Sequence, residues 1–259
     1  MRRTFFLGME FDALNADDAA RRIATRARKL GPFAYVAMPT VDHMVRVDRQ
    51  PRLMQLYDDA WLNLCDSPIL EAFASASYLD LPAAPGADIV ERLFRQHIGA
   101  DEPVVVIGGT QMLVDRLRQQ FAHLDIRWFE APPGLRDDPE ARAACVQFIR
   151  ANPAPFVFLA LGSPQQELIA HEARLAGDCT GVAVCCGAAL EFLAGMTARA
   201  PEWMRAQRLE WLYRLAAEPG RLWKRYLIEG PRIFLIWHRW RSQVHVASAV
   251  ATGVAVSLR

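Results

Sequence analysis

Two places in this sequence hold residues whose type and setting suit chemistry: Asp66, and the run Leu161-Gly162-Ser163-Pro164-Gln165-Gln166-Glu167. Asp66 directly follows the apolar stretch Trp61–Cys65. An apolar strand beside a carboxylate strips it of water, which raises its pKa and makes it a better general base. The same Asp66-Ser67-Pro68, ahead of Ile69-Leu70-Glu71, also reads as a helix start with Asp66 as N-cap. In the second run, small residues let the backbone approach a ligand, and a helix beginning there would offer free N–H groups and a positive dipole end to a phosphate. Gln166 adds an amide able to donate and accept toward a sugar or a base. Ser163 and Gln166, three apart, equally match a capping box. Both alternatives stay open on sequence.

Positioning these groups falls to a regular alternation of elements. Phe5–Gly8 is a short apolar run and Asp17–Leu30 has helical spacing. Phe33–Met38, Trp61–Cys65, Pro103–Ile107, Ile126–Phe129, Pro155–Leu161 and Thr180–Cys186 read as strands, with helical patterns between them. Near-continuous apolar strands alternating with helices predict an α/β fold: a Rossmann-like parallel sheet covered by helices on both faces. In such folds the ligand lies beyond the carboxyl ends of the strands. That rule selects Pro39–His43 with Thr40, Asp66-Ser67, Gly108-Gly109-Thr110, the run containing Gly162, Ser163, Gln166 and Glu167, and Gly187.

Several classes are disfavoured. Ile107-Gly108-Gly109-Thr110 lacks the spacing of a dinucleotide turn, and there is no Walker loop. No two Asp stand two apart, so the usual carboxylate clamp for a nucleotide-sugar metal is missing. The six His show no ligand spacing; each reads as a surface or core residue, and no metal or cofactor is indicated. A net charge of +1 disfavours a general nucleic-acid binder. Five Cys without a CxxC read as reduced and cytoplasmic. The N-terminal apolar run is too short for a signal-peptide core, and no window reaches the roughly 18 apolar residues of a membrane span.

Charge is instead concentrated at one end. Arg199–Arg241 holds ten Lys/Arg against four Glu, and five of the seven Trp. This composition shift divides the chain into an α/β core, residues 1–198, and a basic, Trp-rich helical appendage, residues 199–259. Cations interleaved with indoles suit anionic head groups or a diphosphate. The segment equally suits an ordinary helical cap with Arg stems lying over apolar rings. The tail Val244–Leu258 is mildly apolar and rich in small residues. An exposed apolar appendage could also pair subunits, so a homo-oligomer stays open.

Three ordered segments then carry a resemblance: LALGSPQQE, CCGAALEFLAGMTARAPEWM and LEWLYRLAAEPGRLWKRYL. The sequence resembles the WecG/TagA/CpsF glycosyltransferase family, with weaker similarity through MPTVDH, the Asp66 turn, Pro85–Asp88 and VVVIGG. The resemblance implies inverting, metal-independent transfer from a UDP-sugar (N-acetylmannosamine, its uronic acid or a hexose). The implied acceptor is a polyprenyl-diphosphate-linked sugar at the inner face of the cytoplasmic membrane. It implies Asp66 as general base, Gln166 in the pocket, and Arg214, Arg221 and Arg225 near the diphosphates; Arg199, heading the basic stretch, joins these binding candidates. The chain departs from the family at Met38 and Thr40, where Thr-Pro-Asn is usual, at Ser67 for Gly, at Ala83 for Arg, and at Glu191 for Asp. Those departures imply either an altered donor or a catalytically weak or inactive, UDP-sugar-binding paralogue serving as a scaffold.

Overall fold

Every apolar run expected as a strand enters one sheet. A computed structural model describes the backbone of residues 2–29 and 31–251; the side chains of Arg221 and of residues 245–251 lie outside the description, as does the expected small-residue tail past 251. Strands β1 (Arg3–Phe6) and β2 (Met9–Asp12) form a hairpin, followed by helix α1 (Ala16–Ala27). Then come β3 (Ala34–Ala37), α2 (Val41–Arg49), α3 (Gln55–Asp58), β4 (Leu62–Asn63), α4 (Pro68–Ser75) and α5 (Gly86–Arg92). The second half runs β5 (Pro103–Gly108), α6 (Gln111–Gln120), β6 (Asp125–Phe129), α7 (Pro139–Ala151), β7 (Phe156–Ala160), α8 (Gln165–Ala176), β8 (Val182–Cys185) and α9 (Ala189–Leu193). The sheet has six parallel strands in the order β4-β3-β8-β7-β5-β6.

Successive strand side chains point to opposite faces, and both faces are covered. On β5, Val104 and Val106 pack with Ile23 of α1, Val90 of α5 and Leu113 of α6. Val105 and Ile107 pack with Cys145 and Ile149 of α7 and Ile169 of α8. Burial on both faces is why these strands read as continuous apolar runs instead of alternating ones.

The hairpin is the element that sequence did not disclose, since Phe5–Gly8 read only as an apolar run. Its turn places Leu7 and Gly8 at φ 52° and 87°, the positive pair that a tight hairpin needs. Leu is an unusual residue there; its side chain is buried with Phe6, Met9 and Phe11, which offsets the backbone strain. Asp12 accepts a hydrogen bond from Asn63 N at 3.0 Å, pinning the hairpin to the end of β4.

Residues after Arg199 form the C-terminal helical appendage: α10 (Glu202–Ala206), α11 (Glu210–Ala217), α12 (Pro219–Trp223), a π-helical turn Lys224–Glu229, and α13 (Arg232–Ala251). Ile233 and Ile236 of α13 are buried in a core shared with the hairpin, α2, α3 and α4. Trp240 meets Phe6 edge-on at 5.1 Å, Trp237 meets Phe73 at 4.9 Å, and Trp237 Nε1 donates to Ser77 Oγ at 2.8 Å. Cations answer an acidic face of α2: Arg232 lies 2.8 Å from Asp48, Arg239 contacts the same carboxylate, and Arg225 lies 3.6 Å from Asp42. Trp203, Trp223, Leu227, Ile228 and Leu235 stay exposed.

Half-exposed ion pairs contribute about 0–1 kcal/mol each, whereas a fully buried Ile contributes about 1.5–3 kcal/mol. Apolar contact therefore holds the appendage down and the ion pairs set its register. Ile233→Asp is expected to expose residues 200–251 to limited proteolysis while the core resists digestion, whereas Asp48→Asn leaves the digestion pattern unchanged. Equal sensitivity of the two variants would contradict this ranking.

Candidate active site at the strand ends

Asp66 lies just past β4, its backbone N–H bonded to Pro39 O at 3.1 Å, so the loops after β3 and β4 are stitched together. Ser67, and not Asp66, caps α4: its hydroxyl accepts from Leu70 N at 3.3 Å. The helix-cap alternative for Asp66 is thereby removed. Its half-buried carboxyl instead accepts one backbone hydrogen bond, from Gly86 N to Oδ1 at 3.0 Å. Glycine permits this approach, because a Cβ on residue 86 would lie 2.9 Å from Met38 Cε and 3.4 Å from Asp66 Oδ2. Desolvation pushes the Asp66 pKa up to about 7. The Gly86 N–H and the nearby His43 and Arg214 oppose that rise, while Glu210 adds to it. Glu210 and Arg214 both belong to α11, so the appendage reaches the electrostatic surroundings of this carboxylate.

Behind Asp66 lies a buried polar network that joins three strand-end loops. His43, Gln166 and Glu167 are all buried. Thr40 N donates to His43 Nδ1 at 3.1 Å, and Thr40 Oγ1 stands 2.8 Å from the same nitrogen. His43 Nε2 faces Glu167 Oε1 at 3.5 Å, and that oxygen accepts from Gln166 Nε2 at 2.8 Å. Gln166 Oε1 accepts from Gly187 N at 2.9 Å. Burial alone would raise the Glu167 pKa; hydrogen bonding and charge from His43, with Gln166 and Ser163, outweigh it and hold the carboxyl below its usual range.

This arrangement redefines several expectations. Pro164, not Ser163, precedes α8 as its N-cap, so no capping box forms. The Gln166 amide is engaged at both ends inside the protein, and its contact with Gly187 N orders the Gly187 loop. Glu167 has no exposed surface and supports the site from behind. His43, read from sequence as a surface or core histidine, is the hub of the network; no spacing rule could reveal this, because its partner lies far along the chain. Gly162 is exposed, and Thr40, Ser163 and Gly187 are half-buried at the strand ends. Gly108 is buried with φ 85° and its carbonyl accepts from Trp128 Nε1 at 2.8 Å, leaving Gly109 as the half-buried member of that turn.

The basic candidates divide. Arg214 stacks over Phe192 at 5.6 Å and lies near Asp66. Arg225 reaches Asp42, in the first turn of α2 beside Thr40. Arg199 is tied to Asp88 at 2.5 Å, two residues along α5 from Gly86. The Arg221 side chain lies outside the described residues. Ala83 donates its N–H to Glu71 at 3.0 Å, and the other Glu71 oxygen accepts from Arg208 at 3.1 Å, which brings an appendage guanidinium to the Ala83 loop. Among the described residues, no group of three or more His, Cys, Asp and Glu could hold a metal, and no helix is long and apolar enough to cross a membrane.

A carboxyl that titrates near 7 when folded and near 3.8 when unfolded couples folding to pH. Between those values the native chain keeps a proton that the unfolded chain has lost, so Asp66 makes stability fall as pH rises. Melting curves are expected to show Asp66→Asn gaining on the parent protein between about pH 4 and pH 7, with parallel behaviour outside that window. A constant difference across it would contradict the raised pKa.

A family model described as the glycosyl transferase WecG/TagA/CpsF family matches residues 4–245, which takes in the sheet, the strand-end network and most of the appendage. The chain belongs to that family of glycosyl transferases.

Proposed function

We propose that this glycosyltransferase moves a sugar from a UDP donor to a polyprenyl-diphosphate-linked sugar, with inversion, in cell-surface polysaccharide synthesis. The observation that carries the reading is Asp66: a carboxylate released from helix capping and raised to about 7, so that it can both hold and shed a proton near neutrality. Asp66 takes the proton of the acceptor hydroxyl as that oxygen bonds to the anomeric carbon. The bond from that carbon to the diphosphate breaks on the opposite face, and UDP leaves with the electron pair. Charge on the departing diphosphate is met by N–H groups at the start of α8 and at Gly109, and by Arg214, Arg221 and Arg225. With no carboxylate clamp in the sequence, these groups serve in place of a metal.

Residues 199–259 form the membrane-associating unit of this reading. Its exposed Trp203, Trp223, Leu227, Ile228 and Leu235 stand among Lys and Arg, a composition suited to peripheral contact with an anionic bilayer surface. Because α13 is packed on α2 and α4, an acceptor held at that surface is delivered to the loops containing Thr40 and Asp66. Closing over these loops would also exclude water and limit donor hydrolysis.

A panel of UDP-sugars offered with bacterial membrane extract, scored by UDP release, tests the reading. Release that requires both a donor and the lipid fraction is expected. Asp66→Asn should lower turnover roughly 100-fold while donor binding changes little. Turnover by the parent protein should rise with pH through about 7, since the base acts only when ionised. Arg225→Ala should lower turnover, because less positive charge then meets the departing diphosphate. UDP-sugar binding without transfer to any acceptor would favour a scaffold role, and near-parental turnover by Asp66→Asn would remove Asp66 from the base role.

A further inference from the structure

Where α13 packs on α2, the seam between core and appendage holds an apolar crevice of about 320 Å³. Its floor is Leu7 at the hairpin tip, Met44 and Val47 of α2, and Ile236 of α13, all buried. The rim is half-buried Asp48 with exposed Pro51 and half-buried Met54, the last two on a short helical turn Pro51–Met54 that follows α2. Close-packed interiors leave few voids larger than a water molecule. A cavity of roughly 150 Å³ already accommodates benzene, so this one has room for on the order of ten carbons, about two isoprene units. The floor also gives a reason for Leu7 at φ 52°, where Asn or Gly is usual: it supplies an apolar wall.

Helix α2 connects this crevice to Asp66. It begins after Thr40, beside the Pro39 carbonyl that accepts from Asp66 N. At 1.5 Å per residue, Met44 and Val47 lie about 6 and about 10 Å along the helix from Thr40. Cations outnumber carboxylates on the way. Arg46 and Arg225 share Asp42, Arg232 and Arg239 share Asp48, and Arg49 pairs with Glu229, five guanidinium groups against three carboxylates. A positive path from the base to an apolar pocket complements an amphiphile with an anionic head and an apolar chain.

We propose that the crevice between α2, α13 and the hairpin tip binds the isoprene units nearest the diphosphate of the lipid-borne acceptor, so that the enzyme selects its acceptor by chain as well as by head group. This deepens the transferase reading and rests on the acceptor class given there, but equilibrium binding separates the two. Inorganic diphosphate and dimethylallyl, geranyl, farnesyl and geranylgeranyl diphosphates would be titrated calorimetrically into the full chain, each below its micelle concentration.

Geranyl diphosphate should bind roughly 10-fold or more tighter than inorganic diphosphate, most of the burial gain being offset by ordering of the chain. The gain should level off beyond farnesyl, where the crevice is full. Met54→Glu, at the rim, should remove the chain-dependent gain and leave inorganic diphosphate unchanged. Val47→Phe, which fills the floor, should do the same without lowering the melting temperature. Affinity independent of chain length would overturn the proposal, as would a gain that grows equally with every added unit or survives both substitutions. Displacement of geranyl diphosphate by dihexanoylphosphatidylglycerol would assign the crevice to bilayer acyl chains and overturn it too. So would a dimer in sedimentation that Met54→Glu splits, since a second copy would then cover the crevice. A levelling gain in a protein that releases no UDP with any donor and membrane extract would uphold the crevice and defeat the transferase mechanism. Lipid-dependent UDP release with no chain-dependent binding would do the reverse.

Discussion

The site depends on one imbalance: the Asp66 carboxylate loses more hydration at the end of β4 than its single backbone hydrogen bond restores. Full solvation would leave it too weak a base, and a strong ion pair would make it weaker still. Three local features maintain the imbalance. Ser67 takes over the capping of α4, Gly86 brings only a backbone N–H against Oδ1, and Met38 packs close against Gly86. Glu210 and Arg214 of the appendage act on it in opposite directions, so docking of the appendage adjusts the base without neutralising it.

A second constraint is the treatment of buried charge. Glu167 is fully enclosed, and an isolated carboxylate there would be very costly. His43, Gln166 and Ser163 offset that cost, and in doing so they draw together the loops that follow β3, β7 and β8. Order among these strand-end loops therefore comes from buried polar groups beneath them. That division resembles the appendage, where buried Ile233 and Ile236 hold position and the Arg–Asp pairs along α2 set register. In both places buried contacts supply strength and directional polar groups supply geometry.

How much of this was legible in the sequence follows from range. The strands were legible because burial on both faces makes them continuous apolar runs, and the strand-end rule then brought Thr40, Asp66, Gly162, Ser163 and Gly187 to one edge. The hairpin was not, because its turn uses Leu7-Gly8 in place of the usual Asn-Gly, and only tertiary burial makes Leu7 tolerable. Local pattern also could not decide between cap and functional group at Asp66 or Ser163, since both uses begin with the same residue types. The structure decided by showing Ser67 as the cap at one and Pro164 at the other. His43 and Glu167 were assigned roles too distant or too direct: their significance is mutual, and a contact between residues so far apart in sequence leaves no periodic trace.

The most direct measurement on the central claim is the titration of the Asp66 carboxyl by carbon-13 NMR, with Asp66→Asn used to assign the signal. A midpoint near 7 is what desolvation at this strand end requires. A midpoint near about 4, the ordinary range for aspartate, would show a solvated carboxylate and contradict its assignment as the base.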